Sequence, residues 1–102
     1  MGVLDNKEIR DAYKKEAGSL IKKIGKELNR PNNDSRIFRL FRYAHTLKSI
    51  SGTCGCYKIE EAVKPIAEIF RAAKDDKLKI SPEDKVLIKK NLNVCERLLK
   101  RG

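Results

Sequence analysis

Apolar residues recur at intervals of three and four along four separate stretches of this chain, and nowhere do they alternate with polar ones. That spacing is the signature of amphipathic helices and leaves no strand pattern to build a sheet. The first stretch runs from about residue 5 to 29, with Ile9, Tyr13, Ala17, Leu20, Ile21, Ile24 and Leu28 on one face. It stops at Asn29-Arg30-Pro31-Asn32-Asn33, a loop by composition. Asp34 is placed to cap a second helix over about 34–51, whose stripe is Ile37, Leu40, Phe41, Ala44 and Leu47. Gly52 and Gly55 then allow either a short break or a continuation.

The third stretch, about 56–76, carries Ile59, Ala62, Val63, Ile66, Ile69, Phe70 and Ala73, with Pro65 inside it. A proline there removes a backbone donor and crowds the carbonyl four residues earlier, which predicts a kink between Glu61 and Pro65. The fourth, about 82–100, opens with Ser81 as a cap and Pro82 at the first helical position, and its stripe is Leu87, Ile88, Leu92, Cys95, Leu98 and Leu99. Four such helices on short loops hide their stripes only against one another. The expectation is an all-α, antiparallel up-down-up-down four-helix bundle, with residues 1–102 forming a single domain.

A chain of 102 residues buries roughly two-thirds of its unfolded surface, enough for one modest core. Its longest uncharged stretch, Ser49 to Tyr57, is far too short to cross a bilayer, and Met1 to Asp5 lack a signal-peptide core. No membrane association is expected. Three cysteines point to reduced thiols and a cytoplasmic setting. With 24 Lys and Arg against 14 Asp and Glu, the net charge of +10 implies an acidic partner. No Gly-rich phosphate-binding loop or nucleophile elbow is present, so the chain is expected to bind or carry a group rather than catalyse.

His45 is the one imidazole. It lies roughly 100° from the centre of the second helix's apolar stripe, on the flank, where a ring packs on one side and meets water on the other. Arg42 precedes it by three residues, Lys48 and Ser49 follow at three and four, and Arg39 extends the row. Between Ser35 and Ile59 there is no acidic residue, while Arg36, Arg39, Arg42, Lys48 and Lys58 are basic. A solvated basic face is the simplest account of such a run, but here it coincides with a nucleophilic ring. A phosphoryl group attached there would find charge-assisted hydrogen bonds from Lys48 and Arg42. Small residues at Ser49, Ser51 and Gly52 would leave room for a docking protein.

Ala44-His45-Thr46-Leu47-Lys48-Ser49, continued by Gly52-Thr53-Cys54-Gly55, resembles the signature of histidine phosphotransfer (HPt) domains. Leu40-Phe41-Arg42-Tyr43 and the pattern through Ile80 are most similar to the N-terminal phosphotransfer domain of CheA-type chemotaxis histidine kinases, without gaps from about Glu16 to Leu99. The resemblance implies a phosphorelay carrier of two-component signalling. His45 would accept a phosphoryl group on Nε2 from a kinase's ATP-binding domain and pass it to an aspartate of a response-regulator receiver. Lys48 would orient or neutralise that group, with Arg42 beside it, and Arg39, Ser49 and Gly52 would form the partner-docking surface. ATP and Mg²⁺ would belong to the partner domains, so the domain would need no cofactor of its own.

Two departures from the family pattern stand out. Ser49 replaces the Gly that usually follows the Lys, and Ala67 falls where the chemotaxis domains carry a Glu that accepts a hydrogen bond from Nδ1. The Pro65 kink would bring Glu68 or Glu61 into range; failing that, water or a backbone carbonyl takes the place of the Glu, or phosphorylation is slow.

Cys54, Cys56 and Cys95 would form a metal site only by enlisting His45, so no metal is expected. Tyr13, Tyr43, Tyr57, Phe38, Phe41 and Phe70 read as core or core-edge residues rather than a base-stacking platform. The alternative to phosphotransfer is a basic helical module that binds nucleic acid or an acidic protein without covalent chemistry; nucleic acid is the less expected partner. A scaffold that keeps the bundle without transferring phosphoryl groups is a third reading. Nothing in the sequence demands a dimer, and a monomer is expected.

Overall fold

The computed structural model describes residues 6–30 and 33–101. Four helices follow in order: α1 (Lys7–Leu28), α2 (Asp34–Thr53), α3 (Tyr57–Asp75) and α4 (Pro82–Arg101). Each packs against its two neighbours, with α4 returning to α1, which is the closed ring of an all-α four-helix bundle.

The helix ends are chemically specified. The Asn6 side chain accepts from the amides of Glu8 and Ile9, at 2.9 and 3.2 Å. The second helix begins one residue earlier than Asp34 suggested. Asn33 is the cap, its side chain accepting from the Arg36 amide at 2.9 Å, and Asp34 opens the first turn, where a carboxylate complements the helix dipole. At α4, Ser81 Oγ accepts from the Asp84 amide (3.0 Å) and Asp84 Oδ2 accepts from the Ser81 amide (3.1 Å), a reciprocal capping box ahead of Pro82.

The break between α2 and α3 is set by Gly55. Its φ of 78° lets the Gly55 amide reach the Gly52 carbonyl (3.1 Å) and the Cys56 amide reach that of Ser51 (2.8 Å). This is a Schellman closure, in which a side chain at the left-handed position would be strained. Helix α3 then runs unbroken through Pro65. The proline leaves the Glu61 carbonyl without its helical donor, and Asn91 Nδ2 of α4 donates to the next carbonyl, that of Ala62, at 2.9 Å.

Ala17, Ile24, Leu40, Ala44, Leu47, Val63, Ile66, Phe70, Ile88 and Cys95 are completely buried at the centre. Four expected stripe or core-edge residues are instead exposed: Ile9, Leu87, Phe38 (55%) and Tyr57 (66%). Ile9 and Tyr57 lie in the first turns of α1 and α3, and Leu87 in the second turn of α4, so they sit near the bundle's ends. Phe38 falls on the outer row of α2, one turn before Arg42 and two before His45.

Arg36, read as part of a solvated basic face, is 1% exposed. Its Nε donates to the Glu27 carbonyl and its Nη2 to that of Leu28 at 3.0 Å, so it satisfies the last carbonyls of α1. Ser51 is also buried rather than open to a partner, its hydroxyl 2.7 Å from that of Tyr13.

Candidate functional site

His45 projects from the middle of α2 and is exposed to solvent. In a helix, side chains lean towards the N-terminus, so its ring falls back over the residue four positions earlier. That residue is Phe41, with ring centroids 5.7 Å apart and planes inclined by 31°. Phe41 is itself half-buried and packs on the core. The imidazole thus has an apolar surface on one flank and water on the other.

Arg42 and Ser49 are exposed beside it and Lys48 is half-buried. All three sit one turn from His45, within reach of anything attached to the ring. A third cation, absent from the expected set, enters from α3: Lys74 Nζ stands 4.9 Å from the centre of the Phe41 ring. No spacing within α2 could reveal it, because it depends on how α3 is registered against α2.

That register also decides the fate of the expected orienting carboxylates. Phe41 faces Lys74, and a Cβ on Gly52 would lie 2.8 Å from Glu60 Oε2. These two contacts bracket His45 and put it level with the α3 stretch from Ala67 to Phe70. Ala67 is buried and offers only a methyl group. Glu61 pairs with Lys64 and Glu68 with Arg71, each at 3.2 Å and along the outer surface of α3. Neither reaches the imidazole, because three-residue spacing on one helix brings a local cation closer than a residue across the groove.

The expected docking residues divide. Ser49 is open. Arg39 turns towards α1, where Nη2 meets Glu27 Oε1 at 3.2 Å and holds the Glu27 carboxyl below the usual carboxylate range. Gly52 is half-buried, and the space beside it is taken by the Glu60 carboxylate. The basic run of α2 therefore serves two purposes, with Arg36 and Arg39 tying α2 to α1 while Arg42 and Lys48 flank His45.

Cys54 and Cys56 sit half-buried at the α2–α3 turn, whereas Cys95 lies in the core. Among the described residues, no group of three or more His, Cys, Asp or Glu side chains is arranged to hold a metal ion.

An exposed imidazole stands at mid-helix in a four-helix bundle, with a cation three residues away on either side, so an anion at the ring would meet two positive charges. The family model of the Hpt domain matches residues 8–98. The chain belongs to the Hpt domain family.

An Hpt domain is a phosphotransfer carrier of two-component signalling, not a catalyst, and the bundle supplies that carrier's scaffold. The domain is similar to the chemotaxis protein CheA of Borreliella burgdorferi, with 27% identity over 100 residues. That match covers 94% of this chain but 12% of the relative, so the chain spans about an eighth of CheA's length. No solved structure matches the chain. Among the described residues, no helix of this Hpt domain is long and apolar enough to cross a membrane.

Proposed function

We propose that His45 is the phosphoryl acceptor of this Hpt domain, receiving the group from ATP through a histidine kinase catalytic domain and yielding it to a receiver aspartate. The observation that carries this reading is the exposed His45 ring standing between Arg42 and Lys48 on α2. In the first step the Nε2 lone pair forms a P–N bond as the P–O bond to ADP breaks, and the proton on Nδ1 leaves to solvent. In the second, Nδ1 regains a proton from solvent, a receiver carboxylate oxygen attacks phosphorus, and the electron pair of the breaking P–N bond returns to Nε2, leaving a neutral imidazole. Lys48 and Arg42 offset the charge gained by the ring through charge-assisted hydrogen bonds.

The same cations draw in the acidic pocket of a receiver by electrostatic steering, with Ser49 leaving room for close approach. ATP and Mg²⁺ are brought by the partner domains, and the Hpt domain adds no cofactor. Reduced thiols fit work in the cytoplasm.

The test is incubation with a chemotaxis-type kinase domain and γ-labelled ATP, followed by transfer to a receiver. The parent domain should acquire an acid-labile, alkali-stable label that moves to the receiver. His45→Gln should acquire none; label persisting in that variant would overturn the assignment.

A further inference from the structure

We propose that Phe41 is the positioning residue for the His45 imidazole, with Lys74 of α3 clamping Phe41 in place. The inference rests on the phosphoryl-accepting role of His45 proposed above. Reaction at an imidazole nitrogen requires its in-plane lone pair to point at phosphorus, so whatever sets the ring plane sets the rate. The described residues of α3 provide no carboxylate for that purpose. In the α3 stretch level with the ring, Ala67 to Phe70, Ala67 is buried and offers only a methyl group, while Glu68, like Glu61, is engaged by a cation of its own helix, Arg71 and Lys64 respectively.

What packs beside the imidazole is the aromatic ring of Phe41. The 5.7 Å separation and 31° tilt are those of an attractive aromatic pair. Phe41 is held in turn from two sides. Part of its ring packs on the core, and the Lys74 ammonium lies 4.9 Å from its centre, within cation–π range. Lys74 is tethered by the neighbouring Asp75 carboxylate, so the clamp reaches from α3 through Phe41 to the imidazole. An apolar contact restricts the tilt of the ring but does not select which nitrogen carries the proton. Positioning here therefore depends on the aromatic ring at residue 41 and not on a hydrogen-bond acceptor on α3.

The test uses the whole chain with phosphoramidate, a small phosphoryl donor that needs no partner protein. A ring nitrogen forms the P–N bond as the donor's own P–N bond breaks, and ammonia departs with the proton the ring gives up. Phe41→Leu should slow labelling about three- to tenfold, the rate equivalent of one aromatic pair. It should also shift the carbon-bound ring protons of His45 in the NMR spectrum, as the Phe41 ring current is lost. Phe41→Tyr should retain both the rate and the shifts. Lys74→Met, which leaves the core untouched, should move the same resonances in the same direction by less. Phe41→Leu labelling at the parent rate, or His45 resonances unmoved in both Phe41→Leu and Lys74→Met, would overturn the proposal. The two readings fail separately: label persisting in His45→Gln removes His45 as acceptor, whereas the ring-proton shifts report on Phe41 whatever becomes phosphorylated.

Discussion

Arg36 of α2 closes the end of α1, its Nη2 donating to the Leu28 carbonyl at 3.0 Å from a position 1% exposed. A helix C-terminus leaves its last carbonyls without intrahelical donors, and here a guanidinium from the next helix supplies them. Burial lowers the tendency of Arg36 to hold its charge, while the Glu27 carboxylate beside it acts in the opposite sense. Replacing Arg36 with Met keeps comparable apolar bulk but strands two acceptors. The expected loss is about 2–3 kcal/mol of stability, the scale of buried hydrogen bonds to a charged donor. Urea unfolding of Arg36→Met checks this; a loss near zero would mean that water replaces the guanidinium without cost.

Gly55 holds a φ of 78° in the turn that starts α3. Gly55→Ala should therefore cost about 1–2 kcal/mol through left-handed strain, read from the thermal midpoint. Gly25→Ala is the opposite case. It lies inside α1, and beyond its chain neighbours and the backbone of its own helix no atom comes within 4 Å of an added Cβ, so it should stabilise by about 0.5–1 kcal/mol.

Burial pushes the Cys95 thiol up to about 11, against an ordinary value of 9.0. The folded state thus holds its proton over a range in which the unfolded chain has lost it. The stabilisation is complete below pH 8.5 or so and declines as the pH rises towards 11. Cys95→Ala, although less stable at neutral pH, should lose less stability over that range, as denaturation at pH 8 and pH 10.5 would reveal. Under native conditions a thiol reagent should modify Cys54 and Cys56 well before Cys95; simultaneous reaction of all three would contradict the burial.

Lys48→Ala should slow phosphoryl transfer from the kinase by about tenfold or more, the worth of one charge-assisted hydrogen bond, with the thermal midpoint little changed. Arg39→Ala should leave that rate at the parent value, because Arg39 is turned towards Glu27. Equal slowing in both variants would show that the whole basic run acts on the phosphoryl group and not the two cations flanking His45.

The four helices and most of their ends were legible in the sequence because each signal is local. An apolar stripe needs only three-to-four spacing, and Ser81-Pro82 needs only its neighbours. The outward position of His45 and its flanking by Arg42 and Lys48 follow from the same helical geometry. Packing between helices decided the rest. Arg36 and Arg42 are chemically alike and six residues apart, yet one is buried against carbonyls of α1 and the other is exposed beside His45. Likewise, Lys74 reaches Phe41 only through the register between α2 and α3, whereas Glu61 and Glu68 are held by cations of α3 itself. Periodicity determines which face of a helix turns inward, but contacts between side chains far apart in the chain depend on how helices cross. No single stretch of sequence encodes that.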